Sequence, residues 1–212
     1  MEVRNEDAWP LKETKWTTLN LANSDSLRQS SVGVGSTQFR LRNQSRFFEY
    51  RFEEDTEISG PIYANLYLTF YEVDDLYVFV EVEKFSNGKP VLFECSYGYA
   101  RDCVSQGMLR VQLRSESNTG DEFGYAESSL VEIHPIKDGA IVKVSIKLSN
   151  SSTFIYKGEQ LRLNISGRYQ QPRNPFFGHF PALYARTTSG TAKVTWSRDS
   201  PSNIVIPVIP TR

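Results

Sequence analysis

Apolar and polar residues alternate with a period of two along most of this chain. Between Ile58 and Gly88, the residues Ile62, Ala64, Leu66, Leu68 and Phe70 share one parity, and Val78, Val80 and Val82 share the parity of a second run. Successive side chains point to opposite faces of a strand, so both runs predict half-buried strands. The break between them, Glu72-Val73-Asp74-Asp75, is too short for a crossover helix. Two arrangements fit it: antiparallel neighbours joined directly, or a bridge from one sheet to another. Ser59-Gly60-Pro61 and Ser86-Asn87-Gly88 bracket the unit with turn chemistry.

The same period recurs on either side. Lys15 to Leu21 predicts a first strand with Leu19 and Leu21 on one face, and Phe47 to Glu53 predicts a second, aromatic one. Val91 to Glu94 reads as a short strand. Met108 to Arg114 turns Leu109, Val111 and Leu113 inward and Arg110, Gln112 and Arg114 outward. Leu130 to Ile136 predicts a short strand whose Pro135 suits an edge. Ala140 to Ser149 sets Val142, Val144, Ile146 and Leu148 against outward Lys143 and Lys147. Gln160 to Ser166 alternates through Leu161, Leu163 and Ile165, and Thr191 to Arg198 through Ala192, Val194 and Trp196. Ile204, Ile206 and Val208 form a last strand, blunted by Pro207 and Pro210. Residues 22–38, 115–127 and 167–190 read as loops, and 150–153 as a turn. Short strands at regular spacing, with no sustained helical period, predict an all-β sandwich or barrel.

Length adds one constraint. A chain of 212 residues fits a single all-β domain, here residues 15–212 after an extended lead-in over 1–14. Trp9-Pro10 favours that extended backbone. A net charge of -1 gives no electrostatic reason to expect nucleic acid or an anionic membrane as partner. No apolar run approaches the roughly 20 residues of a membrane-spanning helix. The opening MEVRNEDAWP is acidic and polar, unlike a signal peptide, which fits a cytoplasmic protein and equally a piece cut from a longer chain.

Candidate chemistry is sparse. Gly33-Val34-Gly35 lacks the strand before it and the helix with Lys-Ser/Thr after it that a phosphate loop needs. His134 and His179 have no Asp or Glu at ligand spacing, so no metal site and no cofactor are expected. Asp74-Asp75 fits a turn cap or a cation loop. Cys95 and Cys103 read as two thiols in a reducing compartment, or as a local disulfide. The N-x-[ST] triplets at Asn43, Asn150 and Asn164 carry no information without a leader. Aromatic residues gather in predicted loops: Tyr97 and Tyr99, then Tyr169, Phe176, Phe177, Phe180 and Tyr184 around His179. Such rings either plug the ends of a sandwich or present a surface to sugars or proteins. The second reading makes Tyr169, Phe176, Phe177, His179, Phe180 and Tyr184 the candidate interaction surface.

Several short motifs, taken in order, resemble a known family. They are Ile58-Ser59-Gly60-Pro61 opening a long strand, Asp74-Asp75 before the next, and Gly107-Met108-Leu109-Arg110. Phe154, Gly158 and Leu161-Arg162-Leu163 follow, with the closing run Ser202 to Pro210. Together they resemble the C-terminal jelly-roll domain of the X-Pro dipeptidyl-peptidase and cocaine-esterase-like serine hydrolases, from about Trp9 to Pro210. The family's Gly-Trp-Leu-Arg-Ala-Ser-His-Arg stands here as Gly107 to Arg114 with a different polar set, and its Gly-His-Arg-Leu as Gly158-Glu159-Gln160-Leu161. The resemblance implies a jelly-roll β-sandwich of galactose-binding-domain-like architecture. It also implies an accessory, non-catalytic module whose partner is an α/β-hydrolase domain carrying the Ser-Asp-His triad, in cis or lost. No G-x-S-x-G nucleophile elbow occurs in the chain, so it is expected to be inactive alone. The alternative is a stand-alone carbohydrate-binding sandwich, supported by architecture only.

Overall fold

The computed structural model describes residues 5–30, 33–94, 101–114, 130–170 and 189–210. In chain order the strands are β1 Lys15–Ala22, β2 Ser26–Arg28, β3 Gly35–Arg40, β4 Ser45–Arg51, β5 Thr56–Gly60 and β6 Tyr63–Tyr71. Then come β7 Tyr77–Ser86, β8 Lys89–Pro90, β9 Phe93–Glu94, β10 Arg101–Asp102 and β11 Ser105–Arg110, followed by a 3-10 turn over Val111–Leu113. The chain continues with β12 Ile141–Lys147, β13 Ser151–Ile155, β14 Gln160–Ser166, β15 Thr191–Trp196 and β16 Asn203–Ile209.

Hydrogen bonding runs continuously through the order β11-β7-β14-β4-β2-β1-β16-β6-β15-β3, with β12 added on β6, β5 on β16, β13 on β5 and β8 on β7. The ladder folds over on itself as a jelly-roll sandwich. One layer is β11-β7-β14-β4 and the other is β1-β16-β6-β15-β3 with β12. They connect through β2, which pairs along β1 and makes a single parallel bridge, Ser26 to Glu49, with β4. β9 and β10 form a separate antiparallel pair.

The link after Glu72 bridges the two layers. β6 pairs with β12, β15 and β16, whereas β7 pairs with β11, β14 and β8. Their apolar faces therefore oppose each other across the core. A single cluster joins Leu66, Leu68, Val144, Ile146 and Val194 of one layer to Val80, Val82, Leu109, Val111, Leu163 and Ile165 of the other, each at most 5% exposed. Burying each such side chain stabilises the fold by roughly 1.5–3 kcal/mol before entropy is counted. Asp75 has a structural part in the bridge: both its oxygens accept from Arg110, at 3.0, 3.0 and 2.6 Å.

Several segments depart from the alternation reading. Residues 22–38 hold β2 and the start of β3, which is polar because it is an edge paired only to β15. Gly35 is required there by packing, since a Cβ would lie 2.5 Å from the Trp196 ring. Ser151–Ile155 is a strand on β5 and not a turn, and Ser59 Oγ donates to Ser152 Oγ across it at 3.2 Å. The predicted strand at 130–136 does not form: Leu130, Val131 and Ile133 are exposed. Pro135 offers no N–H, and the carbonyls of His134 and Pro135 accept from the Arg114 guanidinium at 2.6 and 3.4 Å. Arg114 is thus buried, contrary to the outward parity predicted for it, because the chain leaves the strand for the 3-10 turn at Val111. For the same reason Leu113 is only half-buried. Val142 is half-buried too, packed against the edge of the core. Pro207 does not end β16, which runs through it in register with Trp16.

Candidate interaction surface

The outward face of the first layer carries an ordered polar and aromatic strip. Register fixes its rows. Phe47, Asn164, Glu81 and Gln106 stand side by side across β4, β14, β7 and β11. The next row is Glu49, Arg162 and Glu83, and the row on the other side brings together Ser45, Ser166, Phe79 and Met108.

Arg162 is the centre of this strip. Its Nε and Nη2 donate to Glu49 Oε1 at 2.9 and 2.6 Å. Its guanidinium lies over the rings of Phe85, 3.8 Å from the centroid, and Phe47, at 4.6 Å. A planar cation held between two rings and a carboxylate is geometrically fixed, which lysine could not reproduce. Burial raises the Glu83 carboxyl above its ordinary value, and the Arg162 charge partly offsets this. Phe79, Glu81 and Ser166 are buried although they face away from the core. The Asn164 Oδ1 atom is buried with no hydrogen-bond partner.

Of the six candidate ring and histidine positions, the structure describes Tyr169. The others, Phe176, Phe177, His179, Phe180 and Tyr184, lie outside the described residues, as do Tyr97, Tyr99 and Cys95. Tyr169 packs edge-on against Phe79, with ring centroids 6.0 Å apart. The chain reaches it through Gly167, where a Cβ would sit 2.6 Å from Leu41 Cδ2 and 3.0 Å from Leu41 Cα. Ser166 Oγ then closes the turn by donating to Arg168 O at 2.7 Å. The segment 167–170 is therefore led off β14 onto the outward face of the first layer.

At the far end of β7, Lys84 is a cation at an apolar parity position. Its ammonium meets Glu159 Oε2 at 2.7 Å and the Phe154 carbonyl at 2.8 Å, with the Tyr156 ring 5.4 Å away. Removal from solvent pushes the Glu159 carboxyl up. Hydrogen bonds from Lys84, the Tyr156 N–H and Ser86 pull it down further, so it lies below its ordinary value. The signal for this latch lies in the run Val78, Val80, Val82, Lys84, where a cation takes the apolar parity. Arg162 and Glu49 gave no comparable signal, because outward positions are ordinarily polar.

The remaining candidates are engaged in the scaffold. The Asp74 carbonyl accepts from Gln112 Nε2 at 2.6 Å. The backbone of His134 is tied to Gln112 and Arg114, and its Nε2 lies 3.7 Å from Glu132. The Cys103 thiol lies 3.4 Å from the Ser105 carbonyl. Among the described residues no group of three or more His, Cys, Asp or Glu is placed to hold a metal ion, and no helix is long and apolar enough to cross a membrane.

These features define a two-layer β-sandwich of the jelly-roll class. The model of the X-Pro dipeptidyl-peptidase C-terminal non-catalytic domain matches residues 2–179, and the chain belongs to that family. Among solved structures, a CocE/NonD family hydrolase from Staphylococcus aureus aligns at TM-score 0.89 and 23% identity, covering 99% of this chain and 39% of its own. An aminopeptidase from a marine sediment archaeon, Thaumarchaeota archaeon, aligns at TM-score 0.69 and 14% identity, covering 98% of this chain and 39% of its own. An α-amino acid ester hydrolase aligns at 0.62 and 14%, covering 91% and 36%. No curated protein sequence matches the chain. The chain thus spans 39% of the length of the Staphylococcus aureus hydrolase chain, and at these identities the likeness establishes the fold.

Proposed function

We propose that this domain serves an α/β-hydrolase catalytic domain, in the same polypeptide, as its non-catalytic C-terminal partner, and that the assembled enzyme cleaves X-Pro dipeptide amides or simple esters. The match of residues 2–179 to a non-catalytic C-terminal domain carries this reading. Acyl transfer by a serine triad needs an activated hydroxyl, an imidazole in reach and N–H donors for the oxyanion. In this chain His134 sits beside Glu132 and Arg114, in a bracing role. The segment 167–190, which the sequence predicts to be a loop, with Tyr169, Phe176, Phe177, His179, Phe180 and Tyr184, is the part of this reading that meets the catalytic domain. The seating of Tyr169 on Phe79 supports its origin on the first layer.

The test uses the purified chain with a chromogenic Gly-Pro amide and a p-nitrophenyl ester. Turnover no faster than buffer is expected. Turnover abolished both by a serine-directed phosphonate and by His134→Ala would overturn the reading. A glycan titration on the same sample separates the carbohydrate-binding alternative, for which saturable binding of a neutral sugar is the required result.

A further inference from the structure

The outward face of the second layer differs from that of the first in its charge. On the first layer and its latch, cations meet carboxylates: Arg162 with Glu49, Arg110 with Asp75, Lys84 with Glu159. On the second layer the outward positions can be read row by row from the register. Arg40, Thr191 and Tyr71 form one row across β3, β15 and β6. Gln38, Lys193, Thr69 and Ile141 form the next, with β12 added. Ser36, Thr195, Tyr67 and Lys143 follow. Asn203, Asn65 and Ser145, then Val205, Tyr63 and Lys147, complete the face across β16, β6 and β12. No Asp or Glu occupies any of these positions, and Glu57 of β5, in register with Ile209 of β16, lies off these rows. Beyond Tyr71 the exposed acids Glu72 and Asp138 stand in turns at the end of the face, where Asp138 Oδ1 accepts from the Glu72 backbone N–H at 2.6 Å.

We infer that this face docks a carboxylate-rich polypeptide surface outside this chain, with Arg40, Lys143 and Lys193 as the charged anchors and Tyr67 and Tyr71 as the aromatic ones. The inference is independent of the hydrolase reading. Arg40 and Lys143 are exposed, while Lys193, Tyr67 and Tyr71 are half-exposed. Charge complementarity selects an acidic partner. The shape of the surface selects a polypeptide over a small ligand. The surface is a sheet face rather than a cleft, whereas small ligands take concave sites. Its span, roughly 20 by 30 Å from strand spacing and rise, approaches the ~800 Å² per side of an ordinary protein interface. The amide network beneath is internally satisfied: Asn65 Nδ2 donates to Asn203 Oδ1 at 3.2 Å, and Ser145 Oγ to Asn65 Oδ1 at 3.0 Å.

The test is fluorescence anisotropy of labelled poly-L-glutamate with the whole chain at low ionic strength, against labelled heparin and oligo(dT). Saturable binding of poly-L-glutamate that weakens with salt is expected. Lys143→Glu with Lys193→Glu should weaken it by about tenfold, as reversal of two exposed charges would give. The control double variant Lys89→Glu with Lys157→Glu changes net charge equally but lies elsewhere, and should leave binding within about twofold. Should the reversed pair lose fold by circular dichroism, Lys143→Gln with Lys193→Gln replaces it, with a smaller loss expected. Equal losses in the face and control variants, no binding at all, or tighter binding of heparin or oligo(dT) than of poly-L-glutamate would each overturn the inference.

Discussion

Replacing Lys84 by methionine isolates an enclosed ion pair at the end of β7. Methionine keeps most of the apolar stem and removes the ammonium. Glu159 would then keep its hydrogen bond from the Tyr156 N–H, at 2.8 Å, but lose the charge 2.7 Å away. The Phe154 carbonyl would lose its donor as well. Side-chain exposures of 9% and 12% leave little water to replace either contact. Removing one partner of a fully enclosed pair costs ~3–5 kcal/mol, so about 2–4 kcal/mol fits a pair at the rim of the core. For a domain of this size that lowers the midpoint of thermal unfolding by about 4–16 °C. The second half of a double-mutant cycle, Lys84→Met with Glu159→Gln, should recover much of the loss, because no buried charge is left unpaired. The pH dependence has a definite sign. Glu159 is held below its unfolded value, so its contribution to stability is present above the ordinary glutamate pKa and is lost as pH falls through the depressed one. Lys84→Met should flatten that acid limb. Urea melts of the four proteins at neutral and acidic pH provide the measurement. A coupling energy near zero, with an unchanged acid limb, would refute the reasoning.

Arg114→Ala removes the donor to the Val111 and His134 carbonyls, at 3.1 and 2.6 Å, and should destabilise the domain by about 1–3 kcal/mol in urea melts. Gly167→Ala drives a methyl into Leu41 and should cost about 1–3 kcal/mol, with Tyr169 fluorescence reporting any displacement from Phe79.

The run from Ile58 to Gly88 illustrates how far alternation alone carries. A period of two marks which side chains share a face. That was enough to place Leu66, Leu68, Val80, Val82, Val144, Ile146, Leu163, Ile165 and Val194 in the core, where the structure has them. It does not say which strand lies beside which. The link at Glu72–Asp75 was compatible with a hairpin or a bridge, and pairing of β6 with β12 and β15 but of β7 with β11 and β14 makes it the bridge. Polar edge strands such as β3 and β13 have no apolar face to betray them, so by alternation alone they read as loop and turn. Conversely, 130–136 contains apolar residues, yet Arg114 and Pro135 remove its carbonyls and a donor from any ladder.

What the sequence determined by itself was local and additive: strand parity, the buried set, turn chemistry and the motifs that mark the family. Tertiary structure decided what depends on register between distant strands. Arg162 meets Glu49 across 113 residues of chain, and Lys84 meets the Phe154 carbonyl across 70. The carboxylate-free face likewise exists only because β3, β15, β6, β16 and β12 are set side by side in one register. Charges spread along a chain of net charge -1 acquire a local sign only when the fold sorts them onto faces, because the field of a charge reaches neighbours in space and not in sequence.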